Sequence, residues 1–414
     1  MGRLQSAKAH GGAGCLETGR LVPPHPFPAR MAPEIALRAI RESRVRGTVL
    51  DPMCGSGTVL KAAVLNGRPA LGFDADPLAV LMSRVWSADF SGQSVGEAGK
   101  TVLAEALELE PQDCPLPWID EDPETEQFIN YWFAPRQAAA LRSLAFVLQR
   151  QAGVVTDAIR LAMSRLIVTK ERGASLARDV SHSRPHRVAD SNDFNVFRAF
   201  EASVARLAQR LHGTGSTVSS VVRIGDARAM ESVESESVAQ VITSPPYLNA
   251  IDYLRGHKLA LVWFGYTVGQ LRRIRADSIG AERSLPKGPK ATRRLQLIDT
   301  ITDSARLPNR EFEILNRYVR DMEQFGAEAY RVLAPGGEIV LVIGNATMRN
   351  VYIDNAKLLC LLGQQQGLVL ADSQQRALPH YRRYLPPPTA KETSALAGRM
   401  RSETILRFVK QAVV

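Results

Sequence analysis

The fold of this chain is indicated most clearly by one stretch of sequence, Gly47-Thr-Val-Leu-Asp51-Pro-Met-Cys-Gly-Ser-Gly-Thr58. Its first five residues form a compact, largely apolar run that is stopped by proline and glycine, which predicts a buried parallel strand. Gly55 and Gly57 permit tight backbone turns and the close approach of a ligand, and Thr58 opens a predicted helix. The stretch therefore predicts a strand, a glycine loop and a helix, in the order that is typical of nucleotide-binding α/β proteins.

A second strand and a second helix follow directly. Pro69-Ala-Leu-Gly-Phe-Asp74 predicts the strand and residues 77–86 the helix, so the alternation indicates a doubly wound sheet. Ligands bind such sheets beyond the carboxyl ends of the strands, where Asp51 and Asp74 lie. Asp74 follows the loop by about twenty residues, a spacing at which a carboxylate accepts both ribose hydroxyls. Nicotinamide and flavin sites share this spacing, although the phosphate-binding pattern G-x-G-x-x-G is absent.

Later segments complete a predicted sheet of seven strands, the last of them antiparallel to its neighbour. Asp226 ends the third of these strands and is predicted to hydrogen-bond an adenine amine. Long helical stretches with little strand signal separate the second strand from the third and predict a helical insertion. The predicted organisation is a flexible N-terminal arm (1–24), a core in two parts (25–94 and 213–414), a helical insertion (95–212) and, within the core, a mobile basic loop (268–310).

A second motif, Thr243-Ser-Pro-Pro-Tyr247, directly follows the fourth predicted strand. The two prolines fix the backbone of this turn, and Tyr247 supplies a face on which a flat ring can stack. A string of this composition is also compatible with an ordinary turn after a strand. Its place at a strand end, beside the glycine loop in the predicted sheet, favours a binding role.

The motifs together resemble the amino-methylating DNA methyltransferases, most closely the cytosine-N4 branch and its adenine-N6 relatives. The resemblance is carried by the glycine loop, by Gly72-Phe-Asp-Ala-Asp-Pro77 and by Thr243-Ser-Pro-Pro-Tyr247. It implies the α/β, Rossmann-like class I methyltransferase fold, with a seven-stranded, mostly parallel sheet, and S-adenosyl-L-methionine as the methyl donor. Met53 departs from the family pattern, in which an aromatic residue is more common.

The resemblance also extends to the segment His25-Pro-Phe-Pro-Ala-Arg30, which is similar to the family segment that helps to close the cofactor pocket. Ala29 is expected to contact the cofactor for this reason. The residues that we expect to bind the cofactor are Asp51, Pro52, Cys54, Gly55, Ser56, Gly57, Thr58, Asp74, Asp226 and Ala29.

The second motif carries the predicted chemistry. An exocyclic base amine is a poor nucleophile because its lone pair delocalises into the ring. Ser244 Oγ and the carbonyl oxygen of Pro245 are suited to accept the amine hydrogens, which frees the lone pair for the methyl group. The predicted catalytic residues are Ser244, Pro245, Pro246 and Tyr247. A base in duplex DNA must flip out to reach them.

The choice of base depends on the resemblance. Serine at position 244 is more typical of the cytosine-N4 branch, so cytosine N4 is favoured over adenine N6. Carbon-5 methylation of cytosine usually needs a Pro-Cys dipeptide, and the sequence contains none. Cys54 is therefore expected to be a packing residue.

The charge of the chain favours a nucleic acid partner. It has 52 Lys and Arg against 42 Asp and Glu among 414 residues, a net charge of +10, which favours binding to polyanions. Basic segments of this composition also occur as solvated surface loops. The predicted DNA-binding residues are Arg178, Arg184, Arg187, Lys287, Lys290, Arg293 and Arg294.

Other classes of site receive little support from the sequence. The four cysteines form no C-x-x-C pair, which predicts neither a disulfide framework nor a zinc site. His182 and His186 lack a third ligand nearby, so no metal site is predicted. No apolar run approaches the length of a membrane span, and we expect a prokaryotic protein of the cytoplasm, in a modification or defence system. The sequence gives no oligomeric state.

Two further functions stay open at this stage. One is an RNA methyltransferase, for example one that acts on a guanine amine of transfer RNA. The other is a catalytically inactive protein that binds nucleic acid through a methyltransferase fold. The intact glycine loop, Asp74 and Ser244 argue against the inactive form.

Overall fold

A computed structural model describes most of the chain. The described residues are 21–27, 30–170, 172–178, 185–211, 217–248, 252–281, 292–378 and 402–412. The predictions for Ala29, Arg184, Lys287 and Lys290, and for residues 1–20 of the arm, lie outside them.

The first part of the core follows the predicted alternation of helices and strands. Its elements are α1 (Pro33–Glu42), β1 (Val49–Asp51), α2 (Thr58–Leu65), β2 (Ala70–Asp74) and α3 (Pro77–Ser87). All three residues of β1 are buried, as a strand at the centre of a parallel sheet requires.

The insertion between β2 and the next strand of the sheet is mainly helical, as predicted. It comprises α4 (Gly92–Leu107), α5 (Pro117–Asp120), α6 (Pro123–Trp132), α7 (Pro135–Gln149), α8 (Val154–Ile167), the short strands β3 (Ala177–Arg178) and β4 (His186–Arg187), and α9 (Val196–Ala208). Leu78 and Met82 of α3 share one buried apolar cluster with Leu144 of α7, Ile159 of α8 and Phe200 of α9. The insertion is therefore packed directly on the core.

The second part of the core contains the remaining strands of the sheet. Its elements are β5 (Ser220–Ile224), β6 (Val238–Thr243), α10 (Leu254–Leu261), α11 (Val268–Asp277), α12 (Thr292–Ile301), α13 (Asn309–Val332), β7 (Leu333–Ile343), β8 (Ala346–Met348), β9 (Val351–Ile353), α14 (Asn355–Gln365), β10 (Leu368–Ala377) and β11 (Ser402–Lys410).

The seven strands of the main sheet stand in the order β10-β11-β7-β6-β1-β2-β5. Strand β11 is antiparallel to both of its neighbours, β10 and β7, while β1, β2, β5, β6 and β7 pair in parallel. The predicted fold class, a Rossmann-like, mostly parallel sheet of seven strands with a large helical insertion, is confirmed. The chain runs outward from β1 through β2 to β5 and then returns to the other side of β1 with β6. The switch point of the sheet therefore lies between β1 and β6.

The prediction of a loop over residues 268–310 is wrong for most of the segment. Residues 268–277 form α11, which begins at a capping box between Thr267 and Gln270. Residues 292–301 form α12, which buries Leu297, Ile298 and Ile301. The basic side chains concealed this apolar stripe, because a half-exposed helix carries its charges on the outer face.

Candidate active site

The glycine loop of residues 52–57 is shaped by close packing against α3. Gly55 and Gly57 adopt φ angles of +51° and +86°, a region that side chains disfavour. A Cβ atom on Gly57 would lie 2.8 Å from Ser83 Cα. The Ser83 hydroxyl also donates a hydrogen bond to the Gly55 carbonyl oxygen (2.8 Å). Glycine at position 57 is thus required by the neighbouring helix as well as by the turn.

Asp74 fixes the same loop from the end of β2. Its carboxylate accepts hydrogen bonds from the backbone N–H of Gly55 (2.8 Å) and of Asp76 (2.9 Å). Burial and the charge of Asp76 raise the pKa of Asp74 to about 6, against the lowering effect of these hydrogen bonds. Since each carboxylate oxygen has a second lone pair, Asp74 can also accept hydroxyl groups of a ligand.

Asp51 is a second buried carboxylate beside the loop. Its side chain accepts a hydrogen bond from the backbone N–H of Met53 (3.3 Å). Burial, together with the nearby charge of Asp74, raises the pKa of Asp51 to about 7. A cationic group bound next to these carboxylates would stabilise their ionised forms.

The loop also presents polar atoms that suit a ligand. Ser56 and Thr58 are buried, and their hydroxyl oxygens have no hydrogen-bond partner among the described residues. Buried polar groups without a partner are uncommon in proteins. Cys54 is buried as well, and burial raises the pKa of its thiol well above the usual value. The thiol is therefore protonated and inert, in agreement with its interpretation as a packing residue.

Aromatic rings cover the glycine loop from outside the sheet. Phe27 is so close that a Cβ atom on Gly55 would lie 3.1 Å from its ring. The Phe27 ring centroid lies 4.8 Å from that of Tyr253 and 6.0 Å from that of His257. Phe27 therefore lies against the loop, and the expected role of its segment in closing a cofactor pocket stays a prediction. Pro52 also lies in the loop, and it is buried.

A buried contact between two side chains links the aromatic rings over the glycine loop to the loop itself. His257 Nδ1 lies 2.5 Å from Asp76 Oδ2, and both residues are buried. Asp76 also caps α3, because its Oδ1 accepts a hydrogen bond from the backbone N–H of Leu78 (2.9 Å). This pair could not be predicted from local sequence patterns, since 181 residues separate its members.

The turn Ser244–Tyr247 begins directly after β6 and is held by distant residues. The Ser244 hydroxyl donates to the Val342 carbonyl oxygen of β7 (3.0 Å). The buried Tyr318 of α13 donates to the Pro246 carbonyl oxygen (3.1 Å). With its proton directed at Val342, Ser244 Oγ can accept hydrogen bonds, and the phenol of Tyr247, which also interacts with Ser244, competes with a ligand for one of its two lone pairs.

Two further features would suit the turn to bind a ring with amino hydrogens. No described residue donates a hydrogen bond to the Pro245 carbonyl oxygen. Burial raises the pKa of the Tyr247 phenol to about 12, so the ring is neutral. Gly280 packs near Pro246 and Tyr247 and covers the turn on one side.

The sheet brings the glycine loop and the turn together. Strands β1 and β6 are parallel neighbours, with Leu50 opposite Val241. Adjacent strands lie roughly 4.8 Å apart, and both motifs leave the sheet at its carboxyl edge. The two motifs therefore sit side by side at the switch point, where open α/β sheets bind ligands.

Asp226 is engaged by a neighbouring arginine. Arg228 donates to both oxygens of its carboxylate, at 3.0 Å and 2.7 Å, and also to Asp321 (2.9 Å). Burial acts to raise the pKa of Asp226, but the hydrogen bonds and charge of Arg228 outweigh it and lower the pKa. Asp226 is thus an ionised, oriented acceptor, and its expected contact with an adenine amine stays a prediction.

The predicted DNA-binding residues that the structure describes fall into two places. Arg178 and Arg187 lie together, because β3 and β4 pair with Ala177 opposite Arg187. Arg187 stacks over the ring of Tyr131 at 5.1 Å. Arg293 is exposed on α12, whereas Arg294 is held by Glu323 of α13 (2.7 Å).

The structure adds two findings about other classes of site. Within the described ranges, no group of three or more His, Cys, Asp or Glu side chains could hold a metal ion. None of the helices described is both long and apolar enough to cross a membrane.

Comparisons with known proteins give distant similarities. No family model matches the chain. The chain is 20% identical to the type II methyltransferase M.AvaI of Nostoc sp. and of Anabaena variabilis, over 77% of this chain and 72% of that protein. Among solved structures, a SAM-dependent methyltransferase of Methanosarcina mazei is similar over 91% of this chain and 98% of that chain, at 8% identity and a TM-score of 0.33. The rRNA methyltransferase aviRa of Streptomyces viridochromogenes is similar over 92% of this chain and 86% of that chain, at 10% identity and a TM-score of 0.28.

Proposed function

We propose that the protein is a DNA methyltransferase that transfers a methyl group from S-adenosyl-L-methionine to an exocyclic base amine, with cytosine N4 favoured over adenine N6. The observation that carries this proposal is the adjacency of the glycine loop and the turn Ser244–Tyr247 at the switch point of the sheet. A methyl transfer requires a donor site next to an acceptor site, and these two motifs provide them. The distant similarity to M.AvaI agrees with the proposal.

The glycine loop suits the methyl donor. Asp74 would accept the ribose hydroxyls, and Ser56 and Thr58 offer buried hydroxyls that lack a partner among the described residues. The carboxylates of Asp51 and Asp74 suit a ligand that carries positive charge. When bound, S-adenosylmethionine supplies an electrophilic methyl group on a sulfonium.

The turn suits the methyl acceptor. Ser244 Oγ and the Pro245 carbonyl oxygen would accept the two amine hydrogens, and Tyr247 would stack on the base. The bond from Ser244 to Val342 and the bond from Tyr318 to Pro246 hold these acceptors in place before the base arrives. Such preorganisation lowers the barrier without any covalent intermediate.

The nucleic acid would extend from the turn over the insertion. We assign target recognition to the insertion of residues 95–212 together with residues 268–310. The hairpin of β3 and β4 offers Arg178 and Arg187, and the exposed Tyr131 lies beside Arg187. Arginine next to an exposed aromatic ring is a combination that binds both phosphates and unstacked bases.

The decisive experiment is a transfer assay with tritiated S-adenosylmethionine on genomic DNA and on transfer RNA in parallel. We expect label in DNA, and digestion to nucleosides followed by mass spectrometry should show N4-methylcytosine. Label in transfer RNA alone would contradict the proposal and favour the RNA methyltransferase. N6-methyladenine in DNA would correct the base and leave the reaction type intact.

Variants of the turn test the assigned roles. Tyr247→Ala removes a stacking face that contributes about 1–3 kcal/mol, and Ser244→Ala removes a hydrogen-bond acceptor. Each should lower kcat at least about tenfold and leave the affinity for S-adenosylmethionine, measured by calorimetry, unchanged. Full activity in both variants would refute the proposed roles of these residues. No binding of S-adenosylmethionine by the wild-type protein would favour the inactive, nucleic-acid-binding alternative.

A further inference from the structure

Three arginines converge from two packed helices of the insertion. The Ser203 hydroxyl of α9 donates to the Ala162 carbonyl oxygen of α8 (2.8 Å). Residues three, four or seven apart share one face of a helix. Arg165 therefore follows Ala162 on the contact face of α8, and Arg206 follows Ser203 on that of α9. Arg210 lies in the turn directly after α9, where its backbone N–H donates to the Leu207 carbonyl oxygen (2.9 Å). We call Arg165, Arg206 and Arg210 the arginine triad.

The triad differs from its neighbours in lacking acidic partners. Arg84 and Arg160 both pair with the buried Asp157 at the other end of α8 (2.8 and 3.2 Å). Among the residues that the structure describes, no carboxylate forms a salt bridge with any member of the triad. Burial and the positive charges of Arg210 and Arg206 lower the pKa of Arg165, which agrees with their proximity.

Such a cluster is unfavourable unless an anion is bound. Like charges at neighbouring positions repel, and no salt bridge from a described carboxylate offsets the repulsion. The guanidinium groups offer donor forks that match the geometry of phosphate oxygens. Arg206 and Arg210 are exposed, so an external phosphate can reach them.

The triad lies at the rim of the candidate active site. Arg165 donates to the Pro24 carbonyl oxygen (2.6 Å), and Phe27, which covers Gly55, follows three residues later. Three residues of extended chain span at most about 11 Å. The triad is therefore close to the loop to which we assign the methyl donor.

We propose that Arg165, Arg206 and Arg210 bind backbone phosphates of the DNA substrate beside the nucleotide that enters the active site. The proposal rests on the proposed function, because it takes DNA as the substrate. Phosphate contacts of this kind set the register of a nucleic acid on a protein without reading its sequence. They would hold the strand while one base occupies the turn.

The test uses the double variant Arg206→Ala/Arg210→Ala, since both side chains are exposed and their loss should leave the fold intact. Its affinity for a mixed-sequence DNA duplex is measured by fluorescence anisotropy over a series of salt concentrations. We expect Kd to rise about tenfold or more, and the slope of log K against log salt to become shallower by about two. The affinity for S-adenosylmethionine should not change.

The matched control is Arg38→Ala/Arg150→Ala, which removes the same two charges from exposed ion pairs with Glu42 and Glu105. A triad variant whose Kd and salt slope equal those of this control overturns the proposal. If the wild-type protein still methylates DNA in that case, the proposed function stands and only the triad is refuted. If the wild-type protein neither binds nor methylates DNA, the proposed function itself fails, and the triad proposal fails with it.

Discussion

The glycine loop and the turn Ser244–Tyr247 lie side by side, but they are stabilised in different ways. Contacts to the glycine loop come mostly from residues close in sequence, such as Asp74 and Ser83. Contacts to the turn come from Val342 and Tyr318, which are far away in the chain. One half of the site is a local βαβ structure, and the other half depends on the assembled sheet and on α13.

The difference implies that the two halves can be impaired separately. Changes around the loop should weaken the binding of the methyl donor. Changes in the support of the turn should lower kcat, with donor affinity intact.

Replacement of Gly57 should have the largest effect. Gly57→Ala places a Cβ atom 2.8 Å from Ser83 Cα at a φ of +86°, so we expect affinity for S-adenosylmethionine to fall at least about a hundredfold in calorimetry. Gly67→Ala is the control, because φ is +68° there but nothing lies within 4 Å. Equal losses of affinity in the two variants would show that the effect of Gly57→Ala comes from backbone strain alone and not from the packing of the loop against α3.

Removal of one hydroxyl should impair the turn and leave the glycine loop unaffected. Tyr318→Phe deletes the donor to the Pro246 carbonyl oxygen, and we expect kcat to fall about tenfold with donor affinity unchanged. Tyr352→Phe serves as the control, since that hydroxyl is exposed and bonds only Asn345 among the described residues. A weaker affinity for the donor in Tyr318→Phe would contradict the division into two halves.

Loss of the contact between Asp76 and His257 should weaken the binding of the methyl donor by the glycine loop. His257→Leu leaves a buried carboxylate without this partner, and we expect the Kd for S-adenosylmethionine to rise about tenfold. His257→Asn keeps a donor near the position of Nδ1 and should recover part of the affinity. Both Kd and kcat are measured, because a purely structural defect would raise Kd and lower kcat together and would not be relieved by asparagine.

The smallest effect that we expect is a change in thermal stability with pH, caused by the protonation of Asp51. Its pKa is raised to about 7 by burial, so the folded protein retains a proton that the unfolded chain releases above its own, ordinary pKa. Rising pH therefore removes stability from about pH 4 until the pH passes about 7. Without ligand, the Tm of Asp51→Asn should exceed that of the wild type by an amount that grows over this range. A constant difference would contradict the burial of an ionisable carboxyl.

Much of the fold was predictable because it depends on local patterns. The apolar runs of β1, β2 and β6 and the glycines after β1 determined the order of elements. The helices within 268–310 were not predicted, because charged side chains on the exposed faces of α11 and α12 mask short apolar stripes such as Leu297, Ile298 and Ile301. Pattern reading detects long periodic helices better than short ones.

The strand–glycine loop–helix unit, the seven-stranded class of the sheet and the two motifs at strand ends could all be predicted from the amino-acid sequence. These features follow from local backbone conformation and from the period of apolar residues, which neighbours in the chain control. The distant groups that complete the site are known only from the packed structure: His257 on Asp76, Tyr318 on Pro246 and Val342 on Ser244. Their contacts arise when the sheet and helices pack, so no local pattern in the chain records them.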